Sequence, residues 1–154
     1  MTGTMNKRSV PEDSKWAAVW FRISGETLNP EEIGAALGLM ATHSHLKGQR
    51  SRSNVLYRDS RWSLKSPLNK SDSLDKHLGW LLDKLEPKFE EVRSLSQKYQ
   101  IDFFCGFASV NGQGGFVLDG VMLARIAKFG VPLGIDLYPP PPVEEDEENG
   151  FAEP

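Results

Sequence analysis

The sequence predicts an α+β fold: a ferredoxin-like (split βαβ) antiparallel sheet with helices on one face, extended by an extra C-terminal helix and strand. Three observations carry this. Apolar runs alternate with helical stripes in the order β-α-β-β-α-β-α-β, a leucine stripe marks one long helix, and capping or turn residues stand at the changeovers. With 154 residues, 39% hydrophobic and 25% charged, the chain has room for one domain and enough apolar side chains for a core.

Trp16 to Ser24 reads as a first strand, nearly all apolar and therefore central in a sheet. Asn29-Pro30-Glu31-Glu32 then opens a helix: Asn caps the free amides, Pro suits the first position and the acids oppose the helix dipole. Ile33, Ala36 and Leu37 supply its buried stripe and Gly38 its stop. A hairpin follows, with arms at Thr42 to Lys47 and Leu56 to Lys65 joined through Gly48 to Val55. In the second arm Leu56, Trp62 and Leu64 share one parity.

Ser71-Asp72-Ser73 offers caps for the clearest helix. Leu74, Leu78, Leu81, Leu82 and Leu85 form one stripe, and Pro87 ends or kinks it before Phe89, Val92, Leu95 and Tyr99 continue the period. Ile101 to Val110 reads as a second buried strand. After a glycine-rich turn, Asp119 caps a helix marked by Leu118, Met122, Ile126 and Phe129 and closed by Gly130. Leu133 to Tyr138 is the last strand.

The predicted organisation is a flexible N-terminus over residues 1–15, a single domain over 16–138 and a disordered, proline-rich acidic tail over 139–154. That tail holds six acids and no Lys or Arg, which leaves 15 acids against 18 bases in the rest. The bases are concentrated. Between Ala41 and Lys70, seven of them face the single acid Asp59. The lone cysteine, Cys105, excludes an intrachain disulfide and fits a reducing compartment. No segment reads as a signal peptide or membrane span, so a cytoplasmic location is expected.

Several stretches, in order, are familiar together. They are Phe21-Arg22-Ile23-Ser24-Gly25, Leu28-Asn29-Pro30-Glu31-Glu32-Ile33, Leu37-Gly38-Leu39, Lys47-Gly48, Trp62-Ser63-Leu64, Leu78-Gly79-Trp80-Leu81-Leu82, Cys105-Gly106-Phe107, Gly114-Gly115-Phe116 and Ile135-Asp136-Leu137-Tyr138. Over roughly Ala17 to Tyr138 the chain resembles the bacterial domain of unknown function family DUF4279. The resemblance implies a bacterial cytoplasmic domain and assigns no catalytic residues.

Candidate chemistry is sparse. His43 and His45 share a strand face and His77 sits on the long helix, but their spacing does not demand a metal. Cys105 lies among phenylalanines with no histidine near in sequence, and reads as a core thiol. Gly112, Gly114 and Gly115 form a candidate anion cradle, although Phe116-Val117-Leu118 intervenes before the Asp119 cap where a phosphate loop would run straight into the helix. No serine occupies a nucleophile elbow. No catalytic residue, metal or cofactor is assigned.

The feature combining charge with aromatic surface is the hairpin. Arg50, Arg52, Tyr57, Arg58, Arg61 and Lys65 are the expected partner-binding residues, because interfaces favour Arg and Tyr. The expected function is a protein-interaction module, of immunity or regulatory type, docking an acidic protein. The alternative is a small-molecule or anion site at the glycine-rich loop, with or without catalysis. Nucleic acid is disfavoured by the acidic tail and the modest charge of the domain, and no membrane association is expected.

Overall fold

A computed structural model describes residues 15–109 and 114–138 of the chain. Its elements are β1 (Lys15–Gly25), α1 (Pro30–Leu37), β2 (His43–His45), β3 (Ser60–Lys65), α2 (Leu74–Leu85), a 3-10 turn (Glu86–Lys88), α3 (Phe89–Ser96), β4 (Gln100–Ser109), α4 (Gly120–Lys128) and β5 (Leu133–Tyr138). The class is α+β. Five strands form one sheet in the order β2-β3-β1-β4-β5.

The central strand β1 pairs antiparallel with β3 on one side and β4 on the other, and β2 pairs antiparallel with β3. β5 runs parallel to β4, so the sheet is mixed rather than antiparallel throughout. The reason is the crossover: α4 carries the chain back along the sheet, so β5 starts at the same end as β4.

Alternation along the strands sorts the two faces. Ala17, Val19, Phe21 and Ile23 of β1, Trp62 and Leu64 of β3, and Ile101, Phe103, Cys105 and Phe107 of β4 are buried on one side. There they join Ile33 and Leu37 of α1, the five leucines of α2, Val92 of α3, and Ile126 and Phe129 at the end of α4 in one cluster. Each fully buried leucine contributes about 1.5–3 kcal/mol, so the α2 stripe alone anchors the helical layer. No helix covers the opposite face among the described residues. Nor is any helix there long and apolar enough to cross a membrane.

Local signals account for the boundaries. Asn29 accepts from the Glu31 amide and Pro30 opens α1, while Gly38 closes it at φ 64, a left-handed position that a side chain would strain. Asp119 accepts from the Met122 amide at the start of α4. At α2 the expected cap is only positional: Ser73 stands at the N-cap without a side-chain bond, and Asp72 accepts instead from the Asn69 amide. The turn at Pro87 separates α2 from α3.

Two expectations are corrected. Ala36 is exposed: α1 is turned so that only Ile33 and Leu37 of the expected stripe are buried. The hairpin arms are shorter than read from sequence, and Leu56 is 50% exposed instead of sharing the buried side with Trp62 and Leu64. Side chains replace the ladder at both ends: Ser60 Oγ accepts from the Lys47 amide and Thr42 Oγ1 from the Lys65 amide. Beyond Lys47 a narrower ribbon projects, held by Gly48–Tyr57 and Tyr57–Gln49 backbone bonds and an Arg50–Leu56 bridge.

Candidate functional site

Strand register lays the uncovered face out in rows. His45, Arg61, Ser24 and Gln100 form one row, His43, Ser63, Arg22 and Asp102 the next, and Lys65, Trp20, Phe104 and Gly134 a third. Ser63 is the short residue among tall neighbours. Around it His43, His45, Tyr57, Arg61, Arg22, Trp20 and Phe104 enclose an open hollow of about 380 Å³. A second hollow of about 500 Å³ lies at the strand ends beside Tyr99, Gln100 and Pro132, and Arg22 and Arg61 line both.

The two arginines differ in state. Arg22 Nε and Nη2 meet Asp102 Oδ1 and Oδ2 at 2.8 and 2.6 Å, directly across the β1–β4 ladder. That bidentate pair raises the Arg22 pKa and cancels its charge locally. The guanidinium also lies 4.2 Å from the Phe104 ring centre. Arg61 donates from Nε to Ser24 Oγ at 2.9 Å and has no ion pair among the described residues. Its charge faces the hollow with no carboxylate partner among the described residues. Lys65 Nζ stands 5.2 Å from the Trp20 ring centre and adds a second cation.

Tyr57 lies flat on His45, ring centres 3.4 Å apart and planes within 7°. His45 is 7% exposed, and its Nδ1 is the buried polar side-chain atom that lacks a partner among the described residues. Burial first, then the Arg61 charge, pushes its pKa down, so the imidazole is neutral at pH 7. The stack fastens the projecting ribbon to the sheet. Tyr57 is therefore an anchor of that ribbon.

The other predicted partner-binding residues lie along that ribbon. Arg50 donates from Nη1 to the Asn54 carbonyl, and Arg52 and Arg58 are exposed. None of the three has an ion pair among the described residues. Lys47, by contrast, pairs with Glu26. The structure thus brings Arg61, Lys65 and Tyr57 together at the sheet face and sets Arg50, Arg52 and Arg58 on the arm beyond its edge.

The remaining candidates lie apart from this face. His77 uses both ring nitrogens internally, Nδ1 with Ser66 Oγ at 2.9 Å and Nε2 with the Asn69 carbonyl at 3.0 Å. Among the described residues no three His, Cys, Asp or Glu side chains gather as a metal site would require. Cys105 is fully buried on the helix side, and burial pushes its thiol up to about 12, with the Asp102 charge adding to the shift. Gly112 lies outside the described residues. Gly114 holds φ 106 beside the Lys15 side chain, and the Gly115 carbonyl accepts from Lys15 Nζ at 3.0 Å.

Trp20, Arg22, Phe104 and the two strand histidines were not identified from sequence as one surface. A signal was present. In β1, Trp16, Ala18, Trp20, Arg22 and Ser24 share a parity that includes an arginine, which the apolar character of the run as a whole hides.

A family model described as "Domain of unknown function (DUF4279)" matches residues 14–140. The chain therefore belongs to that family, as its resembling stretches imply. No curated protein and no solved structure matches the chain.

Proposed function

We propose that this member of the DUF4279 family is a recognition module that docks an acidic, aromatic-bearing protein segment on its uncovered sheet face and projecting basic arm. The observation that carries it is the joint placement of Arg61 and Lys65, without ion pairs among the described residues, with Trp20, Tyr57 and Phe104 at the hollow over Ser63, and of Arg58 on the arm beside it. Cations steer and orient an acidic partner, and flat aromatic side chains supply contact area at small entropic cost. The breadth of the two hollows suits a peptide lying across strands better than an enclosed small molecule.

A ferredoxin-like plan belongs to the same proposal. It is supported by the β2-β3-β1-β4 part of the sheet, antiparallel at every step, with helices between β1 and β2 and between β3 and β4. A bacterial cytoplasmic setting goes with it; the lone buried thiol supports a reducing compartment.

A labelled random copolymer of glutamate and tyrosine tests the reading by fluorescence anisotropy. Binding should weaken about tenfold or more in the Arg58→Glu, Arg61→Glu double variant and fall with added salt. Equal affinity of wild type and variant would refute the surface. Tighter binding of an oligothymidylate than of the copolymer would replace a protein partner with single-stranded nucleic acid, whose bases the same rings would stack.

A further inference from the structure

Among the described residues β5 is an edge strand without the usual protection. Edges are normally blunted by charge, proline or a bulge; this one is six regular residues, Leu133–Tyr138, opened by Pro132 and carrying one acid, Asp136. Phe103 donates to the Pro132 carbonyl, so by strand alternation the backbone groups of Leu133, Ile135 and Leu137 point away from β4. Their side chains share the helix side of the sheet with Phe103, Cys105 and Phe107. Yet Ile135 is 41% and Leu137 67% exposed.

The preceding helix repeats the pattern. The outer side of α4 shows Val121, Leu123, Ala124 and Ala127 to solvent. One of its two cations, Arg125, is taken up by Glu86 and Asp83. A helix exposed to water ordinarily turns charged residues outward. Here an apolar helix side is followed in the chain by an apolar strand whose outer side has no partner among the described residues.

We infer that β5 is the pairing edge of a homodimer in which two copies meet antiparallel with Ile135 on the two-fold axis. In that register the six residues are self-complementary over almost their whole length. Leu133 of one copy stands opposite Leu137 of the other, Ile135 opposite Ile135, and each Asp136 opposite Gly134, so no like charges meet. The outward backbone groups of these three residues fall in hydrogen-bonded pairs. Shifting the register by one residue in each copy would set Asp136 against Asp136, which is unfavourable in an antiparallel pair. An isologous contact of this kind closes on itself and leaves no free edge at β5.

Sedimentation velocity on the full chain at micromolar concentration, with a paired cross-linking experiment, tests this. The wild type should sediment as a dimer, and Leu137→Lys should sediment as a monomer with an unchanged far-ultraviolet spectrum. Ile135→Cys should give a disulfide-linked dimer on mild oxidation, since directly opposed Cα atoms about 5.5 Å apart suit a disulfide. The wild type, whose lone cysteine is buried Cys105, should not cross-link. A monomeric full chain would overturn the inference and leave β5 to residues 139–154 or to a foreign strand. A dimer that Leu137→Lys leaves intact and Ile135→Cys does not cross-link would overturn it equally.

Discussion

His77 shows how one side chain fixes a loop. The Asn69 carbonyl can only accept, so Nε2 carries the proton and the bare Nδ1 accepts from the Ser66 hydroxyl. The ring thereby joins α2 to the connection that follows β3, and burial pushes its pKa below the ordinary 6.5. The pKa of His45 is lowered too. In both cases the unfolded chain takes up the proton first. The stability they contribute is present above pH 6.5 and is lost as pH falls from there toward the depressed folded values. Ser66→Ala leaves Nδ1 without its donor and should cost about 1–3 kcal/mol at neutral pH. Thermal unfolding of variant and wild type checks the cost, and a wild-type melting point that falls below pH 6.5 checks the sign. The sequence showed His77 on a helix, but not Ser66 and Asn69 beside it. Caps such as Asn29 and Asp119 were legible because their partners lie two and three residues away. The partners of His77 are 11 and 8 residues away, across a connection whose path depends on the whole fold.

Among the elements, α4 is held at one end by packing and on its flank by charge. Ile126 and Phe129 enter the core, while Arg125 meets Glu86 Oε2 at 2.8 Å and Asp83 Oδ1 at 2.8 Å at the end of α2. The guanidinium holds the Glu86 carboxyl below its usual range. The cluster is partly open to water, which screens it, so Arg125→Ala should cost about 0.5–1 kcal/mol. Urea unfolding measures it, and the difference should shrink in high salt. The existence of every strand and helix was legible, and the bounds of β5 coincide with expectation. The hairpin was not read correctly, because serine and threonine side chains at Ser60 and Thr42 take over bonds that a ladder would have made. Parity alone does not reveal where a strand hands over to side chains, and so Leu56 was assigned to the wrong side.

Across the whole molecule, the basic arm and the proposed pairing strand lie at opposite edges of the sheet, β2 on one side and β5 on the other. Three strands separate β2 from β5, and Tyr138 at the end of β5 is the one residue of the pairing strand that also lines the hollow over Ser63. Arg58→Glu with Arg61→Glu should therefore leave the sedimentation coefficient unchanged, and Leu137→Lys should leave copolymer affinity unchanged. A joint loss in either experiment would show that the surfaces are one. The concentration of bases between residues 41 and 70 was legible from composition. The rows that set Arg61 beside Ser24 and Trp20 beside Phe104 were not, because they arise from the register of β1 with two strands distant in sequence.

The placement of Cys105 has one more consequence. The sulfur sits beneath the middle of the sheet, paired across to Val19 and screened by the helical layer. A thiol-specific reagent can meet it only when the helical layer lifts from the sheet or β4 parts from its neighbours. The chain thus carries a built-in clock for its own opening: the rate at which this single sulfur becomes labelled reads out how often the folded body comes apart.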